Sequence, residues 1–388
     1  MFWDAIHAVD ITLWCILAIS VGYITFFALA SVSRNSGKKA VIPMCDKHNR
    51  FLVIFPAYSE DKVILRSVNT FLKQSYPQCL YNVTVVSDHM TAETNCALSQ
   101  LPITLLMPKF EKSSKAKAMQ YAILNVDESY DNVVILDADN IVSADFLHQL
   151  NAVCNMGYEA IQCHRCAKNS DNNIALLDGI SEEINNSIFR RGHNNIGLSS
   201  ALIGSGMCFN YKWFMSHVNL LSTAGEDREL EKMLLAEKIF IKYVEDIHVL
   251  DEKVSNESNF QKQRQRWMSA QIQSLISMAK DLPQALKHFN VNYLDKTIQQ
   301  SLIPRSMLLV GLLLLASFMT VVVPVWAFKW WALLAVTVLA LFAAMPSQMR
   351  SSNILKLIVH LPRLTWKMLS NIRHIDRKNS EFIHTSHE

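Results

Sequence analysis

Apolar residues run almost unbroken from position 11 to 32, interrupted only by Ser, Thr, Gly and Tyr, and again from 307 to 328 and from 330 to 345. A helix needs about 20 such residues to cross the hydrocarbon of a bilayer, so the pattern predicts three membrane-spanning helices. Lys329, set among Trp326, Phe328, Trp330 and Trp331, marks a tight outer hairpin with rings at the interface, and Pro324 is a candidate kink in its first leg. Between the ends the period changes. Short apolar runs at 51–55, 82–86, 103–107 and 132–136 alternate with helical stretches at 61–74 and 115–125. That alternation predicts an α/β domain with a mostly parallel sheet and right-handed crossovers. Two stretches, 282–300 and 354–375, mix apolar residues with Lys, Arg and His. They read as helices lying in the membrane interface, or as helices packed on the soluble domain. The expected organisation is an anchor at 1–39, an α/β domain at 40–281, an interface helix at 282–303, a membrane hairpin at 304–349 and a basic amphipathic tail at 350–388.

Composition agrees with a membrane setting. Half of the 388 residues are hydrophobic and the mean hydropathy is +0.13, more apolar than is usual for a soluble enzyme. The net charge of +3 implies no nucleic-acid partner. Positive charge is local: Arg34, Lys38 and Lys39 follow the first apolar run, and Arg350, Lys356, Arg363, Lys367, Arg373, Arg377 and Lys378 follow the hairpin. Both flanks belong in the cytoplasm by the positive-inside rule, which places the N-terminus outside and residues 40–300 on the cytoplasmic side of a cell (inner) membrane, in a multi-pass protein. No basic stretch precedes the first run and no small-residue cleavage site stands out, so it reads as an anchor and not a removed signal. The eight cysteines show no disulfide framework, which suits a reducing compartment. Cys163-His164-Arg165-Cys166 contains one CxxC, but zinc would need two further ligands and no second pair is spaced to supply them; the two read as cysteines in or beside a buried strand.

Four constellations carry chemistry. Asp137-Ala138-Asp139 directly follows the strand at 132–136. Two carboxylates at a strand end can hold one hard divalent cation, which would bridge the phosphates of a nucleoside diphosphate; such pairs also often just cap the next helix. Asp88 ends the second strand, where it can accept from a base N–H or a ribose, or cap a helix. Gly225-Glu226-Asp227 opens a helix. Carboxylates there are commonly caps, yet a group transfer to a hydroxyl needs a base. In Gln263-Arg264-Gln265-Arg266-Trp267, Gln263, Arg266 and Trp267 fall on one helical face, where Arg can clamp a pyrophosphate and Trp can stack on a sugar. An exposed basic helix with one buried Trp is the plainer alternative.

Taken together and in this order, the acidic strand end, the DxD, the ED and the QxxRW about 35 residues later resemble the family 2 glycosyltransferases. The likeness is to the processive membrane synthases of cellulose, chitin, hyaluronan and poly-N-acetylglucosamine. Pro56-Ala57-Tyr58-Ser59-Glu60, Lys115-Ala116-Lys117-Ala118 and Gly204-Ser205-Gly206-Met207 match that pattern too, although Ser59 stands where it usually has Asn. The resemblance spans residues 50–280 and the membrane layout. It implies a GT-A domain with helices on both faces of the sheet, a nucleoside-diphosphate sugar donor (usually UDP-linked), a divalent cation and inversion at the anomeric carbon. It assigns Asp88 and the stretch Pro56, Ala57, Tyr58 with Glu60 to the donor's nucleotide, Asp137 to ribose or donor, Asp139 to the metal with Asp137, and Lys115 or Lys117 to phosphate. Asp227 would be the general base with Glu226 beside it, and Gln263, Arg266 and Trp267 would close the acceptor and pyrophosphate side. The acceptor is a growing glycan in polysaccharide or surface-glycan synthesis, with partner subunits for export, or a lipid-phosphate or lipid-linked molecule taking one sugar. The QxxRW favours the first and the small membrane part the second. Glu381-Phe382-Ile383-His384-Thr385 faintly resembles the C-terminal element of some members.

Overall fold

The run Phe51–Tyr58 is buried along nearly its whole length and is a central strand of an eight-stranded sheet. The computed structural model describes residues 2–32, 47–126, 128–254 and 256–350. Its strands are β1 (Phe51–Tyr58), β2 (Tyr81–Asp88), β3 (Thr104–Leu106), β4 (Asn132–Ile135), β5 (Ile141–Val142), β6 (Ala160–Ala167), β7 (Met207–Asn210) and β8 (Ile241–Asp251). Its helices are α1 (Phe2–Val32), α2 (Ile64–Phe71), α3 (Ala92–Ser99), α4 (Lys115–Leu124), α5 (Phe146–Asn155), α6 (Asn173–Asn185), α7 (His193–Asn195), α8 (Tyr211–His217), α9 (Glu226–Ala236), α10 (Glu257–Lys287), α11 (Val291–Ser301), α12 (Arg305–Val322) and α13 (Pro324–Ala344). The described residues fall into two compact units, one of 2–32, 183–197 and 301–350, the other of 47–182 and 198–300.

In the second unit the sheet order is β3-β2-β1-β4-β7-β6-β8-β5. The first four strands are parallel, as the βα alternation requires, and β7 runs antiparallel between β4 and β6. Side chains alternate across the pleat. Leu52, Ile54, Val133 and Ile135 pack with Met119 of α4 and Leu230 and Leu234 of α9, while Phe51, Val53, Phe55 and Val134 pack with Val68 and Phe71 of α2 and Leu147 and Leu150 of α5. Helices therefore cover both faces, as expected. Pro56 lies inside β1 and does not end it. β4 pairs with β1 only as far as Ile54, so Pro56 sits where that side of the strand has no partner to donate to. Strands β6 and β8 escape the hydrophobic pattern because they carry polar or charged residues, Gln162, His164 and Arg165 in one and Glu245, Asp246 and His248 in the other.

The stretch expected at the interface divides differently. Residues 282–287 finish α10, and α11 is a separate helix packed on the sheet unit. Tyr293 is buried there with its hydroxyl donating to Met278 O at 3.2 Å, and buried Lys296 faces Glu231 at 3.7 Å. Packing on the soluble domain is thus how α11 buries its apolar face.

In the first unit, Trp3–Val32, Arg305–Val322 and Pro324–Ala344 are long and apolar enough to cross a membrane. The hairpin turns at Val323–Pro324, earlier than Lys329. Proline cannot continue α12 and its fixed φ suits the first position of α13, so it is a helix start and not a kink. Lys329 can then sit inside α13 because buried Asp10 of α1 neutralises it and also accepts from Trp330 Nε1 at 2.9 Å. Residues 186–192 form a π-helix leading to His193, whose ring stacks on Phe27 with centroids 3.6 Å apart and whose Nε2 meets Tyr23 Oη at 2.9 Å. Gly192 permits this approach: a Cβ there would lie 2.4 Å from Phe27 O. Nothing in the hydrophobic pattern ties 183–197 to the apolar helices. The basic residues 34, 38 and 39, the amphipathic stretch 354–375 and the element at 381–385 lie outside the described residues.

Candidate active site

Past the carboxyl ends of β1, β2 and β4 the chain turns through backbone that few side chains tolerate. Ser59 and His89 both have positive φ, 53° and 55°, and Ser59 N donates to Asp88 O at 3.1 Å. Non-glycine residues held there store strain, and such positions cluster at ligand sites. The turn sets Tyr58, opposite Asp88 in register, 5.2 Å from the His89 ring. Asp88 is buried, and its Oδ1 meets His89 Nδ1 at 2.7 Å. Pro56 and Ala57 are one strand segment further in, as backbone of β1. His89 was not among the expected site residues; its only signal is its place directly after Asp88.

The DxD leads away from β4 and is held by a residue that the motif does not name. Asn140 Oδ1 accepts from Asp137 N at 3.0 Å, and its Nδ2 donates to Asp139 Oδ1 at 3.3 Å and Asp251 Oδ1 at 3.2 Å. Asp139 is buried and its Oδ2 accepts from Glu252 N at 2.7 Å. Burial, then Asp251 and Asp137, push the Asp139 carboxyl up to about 8. Glu60 is likewise pushed up to about 8 by burial and by Asp139, Asp137 and Glu252. Asp251 sits beside two cations. Lys253 Nζ donates to its Oδ2 at 2.8 Å, and Lys253 and Arg165 both also pair with buried Glu182. Those cations outweigh burial and hold Glu182 below the usual carboxylate range.

Lys115 and Lys117, alternatives in the sequence, are separated by the fold. Lys117 is exposed and donates to Lys112 O at 2.6 Å. Lys115 lies between carboxylates, bonded to Asp137 and to Gly204 O (2.7 Å), with Glu226 at 3.7 Å. Burial works against its charge, but Asp137 and Glu226 outweigh burial and hold it protonated. Gly204 reaches Lys115 in a φ of +79° that a side chain would resist.

Glu226 and Asp227 open α9. Glu226 is buried, and burial pushes it up to about 7 although Lys115 pulls the other way. Asp227 is half-buried, and its Oδ1 accepts from Arg228 N at 2.9 Å. Helix α10 runs against this corner: a Cβ on Gly225 would lie 3.1 Å from Ala270 Cβ, and Lys232 Nζ of α9 donates to Ser277 Oγ at 2.8 Å. Arg266 and Trp267 stand one turn before Ala270. The structure adds Arg264, which pairs with Asp178 of α6 and lies over the Trp267 ring, 4.6 Å from its centroid. Gln263 Oε1 is buried with no hydrogen-bond partner among the described residues.

The residues therefore gather Glu60, Asp137, Asp139, Lys115, Glu226 and Asp227 around the strand ends, with Tyr58 and Asp88 at one side and α10 at the other. Burial and the neighbouring carboxylates let Asp139 and Glu60 hold protons near neutrality, and hard cations take such oxygens. These carboxylates do not bring three ligand atoms within 4.8 Å of one another, a spacing met among the described residues by His164, Cys166 and His248 alone.

The family model for Glycosyltransferase like family 2 matches residues 48–270. Among solved structures, the mannosyltransferase PcManGT from Pyrobaculum calidifontis, in complex with GDP-Man and Mn²⁺, superposes with a TM-score of 0.58 at 16% identity, covering 95% of this chain and 96% of that one. TarS residues 1–349 from S. aureus in complex with UDP-GlcNAc give a TM-score of 0.44 at 14% identity, covering 84% of this chain and 90% of that one. No curated protein matches. The sheet with helices on both faces has the GT-A architecture, and with more than half its length matched by that model, the chain belongs to the family 2-like glycosyltransferases.

Proposed function

We propose that the chain is an inverting glycosyltransferase that moves a sugar from a nucleoside-diphosphate donor, a UDP sugar, to a growing glycan. The observation that carries the reading is the gathering of Asp137, Asp139, Lys115 and the Glu226–Asp227 corner on one set of strand ends, where open α/β sheets bind ligands. Tyr58 and Asp88 hold the nucleotide, with Pro56, Ala57 and Glu60 shaping its seat. Asp139, with Asp137, holds Mg²⁺ or Mn²⁺, which when bound neutralises charge growing on the leaving diphosphate. Lys115 takes a phosphate oxygen when donor enters, exchanging Asp137 for it; Lys117 is too far out at the surface to share the task. The acceptor hydroxyl attacks the anomeric carbon, the bond from that carbon to the phosphate oxygen breaks, the nucleoside diphosphate leaves, and the hydroxyl proton passes to Asp227. Gln263, Arg266 and Trp267 close the acceptor side. The unpartnered Gln263 amide oxygen supports this, since a buried acceptor asks for a donor such as a sugar hydroxyl.

A second reading, transfer of one sugar to a lipid-phosphate or lipid-linked acceptor, draws support from there being three helices among the described residues that are long and apolar enough to cross a membrane, few for a polymer channel; export of a polymer would then need partner subunits. Purified protein in detergent, given radiolabelled UDP and GDP sugars with Mg²⁺ or Mn²⁺, tests both. Polymer supports the first, single-sugar product the second. No transfer from any donor, or full turnover in excess EDTA with metal removal confirmed, overturns the metal-dependent transferase.

The same reading places the sheet unit on the cytoplasmic side. If the three apolar helices span the membrane with a turn at Val323–Pro324, the sheet unit lies on the side of the basic residues that follow the first apolar run. Cys79 and Cys96 are exposed on the sheet unit. In intact cells an impermeant thiol reagent is expected to leave both unlabelled until the membrane is permeabilised, and labelling from outside refutes the topology.

A further inference from the structure

On β6, His164 and Cys166 are two residues apart and share one face of the sheet, while Arg165 between them faces the other way to Glu182 and Asp251. The CxxC of the sequence is therefore not a pair. Cys163 is buried with Ile161 and Val249 on the opposite face. The partner of Cys166 comes from β8. The register between β6 and β8 breaks after Cys163 and Val244, and β8 spends Glu245, Asp246 and Ile247 before pairing resumes at His164 and His248. The break sets two imidazoles and a thiol together. The His164 and His248 ring centroids are 5.0 Å apart, Cys166 Sγ is 4.0 Å from His248 Nδ1, and one ligand atom from each residue lies within 4.8 Å of the others. His164 Nδ1 lies 3.2 Å from Glu245 O. A ring N–H donated to a backbone carbonyl fixes the tautomer and assigns ligation to Nε2, the arrangement that metal-binding histidines adopt.

We propose that His164, Cys166 and His248 form a second metal site, separate from the donor site and specific for a borderline-soft divalent cation, zinc, with water at the fourth position. Two imidazoles and a thiolate suit zinc, at about 2.0–2.1 Å to nitrogen and about 2.3 Å to sulfur. The carboxylates at the strand ends suit hard cations, so the two sites sort their metals by ligand type. Drawing the three atoms to zinc needs them closer than 4.8 Å. His248 is exposed and Cys166 half-buried, so both can rotate inward, while buried His164 stays in place. On binding, the Cys166 S–H loses its proton to solvent and the sulfur bonds the cation; nothing is oxidised or reduced. The cation then clips β6 to β8 across the register break, three residues before Asp251 and four before Glu252, whose N–H holds Asp139.

The test uses the full chain in detergent, stripped with chelator and titrated with Co²⁺. The expected result is one equivalent bound with a thiolate-to-cobalt charge-transfer band that Zn²⁺ abolishes and Mg²⁺ does not, and a higher Tm with Zn²⁺. Asp139→Asn keeps the band, while His248→Asn and Cys166→Ser lose it. The exposed position of His248 lets that variant fold, checked by a metal-free Tm equal to that of the parent chain. Absence of the band in the parent chain, or its survival in both variants, overturns the proposal.

Discussion

Asp227→Asn is expected to lower kcat by about 10²–10⁴-fold while changing donor affinity by only a few-fold, because it keeps the size and hydrogen-bonding shape of the side chain and removes only its basicity. Glu226 is the rival. Burial pushes it up to about 7, which by proton-affinity matching makes it the better base at rest. Position argues the other way. Glu226 is buried against Lys115, 3.7 Å away, whereas Asp227 is half-exposed at the mouth of the same turn, where an acceptor hydroxyl can reach it. A hydroxyl also becomes acidic only as it attacks, so the base need not match it beforehand. Glu226→Gln should therefore cost less in kcat than Asp227→Asn. Steady-state kinetics with saturating acceptor separates the two. Near-normal kcat in Asp227→Asn, or outright loss of donor binding, moves the base elsewhere.

Asp139→Asn is expected to abolish metal-supported turnover, a loss of about 10³-fold or more if the cation supplies several kcal/mol at the transition state. The same substitution has a signature without substrate. In the cation-free protein Asp139 and Glu60 are both pushed up to about 8. Their folded-state values lie above the unfolded ones near 4, so between these limits the folded chain binds more protons than the unfolded chain, and stability falls as pH rises through that window. Cation-free Tm should thus drop between about pH 5 and pH 8, and Mn²⁺ should restore it most at the upper end, where protons no longer compete. Asp139→Asn should flatten both dependences. Equal Mn²⁺ stabilisation of the variant at pH 8 would place the cation on other residues.

Much of the first half of the sheet is legible in the sequence, because β1, β2 and β4 are buried over most of their length and read as short, mostly apolar runs. The candidate site residues stand out for the same reason: an acidic residue just past such a run is conspicuous, as Asp88, Asp137 and Asp139 are. The second half hides. β6, β8 and the turn after β8 bury Arg165, Asp251 and Lys253 as a charge network with Glu182, and charges compensated only in three dimensions look like surface in one. Asn140 is invisible for a related reason, since its importance lies in three hydrogen bonds to residues that include one 111 positions away. The sequence suggests a hairpin turn at Lys329 because a lone lysine looks like a loop until Asp10, 319 residues earlier, is seen to neutralise it.

The segment 183–197, which leaves the sheet unit in mid-sequence to join the apolar helices, has a practical consequence for anyone wishing to cut a soluble enzyme out of this chain. Trimming at residues 46 and 300 removes α1, and with it Phe27 and Tyr23, yet retains His193 and the π-helix that packs against them. His193 would lose its stacking partner and Gly192 would border a void where the Phe27 backbone had been. The fragment would carry a newly bared sticky patch far along the chain from either cut, so a usable truncation must either keep α1 or redesign the surface of 186–193 as well.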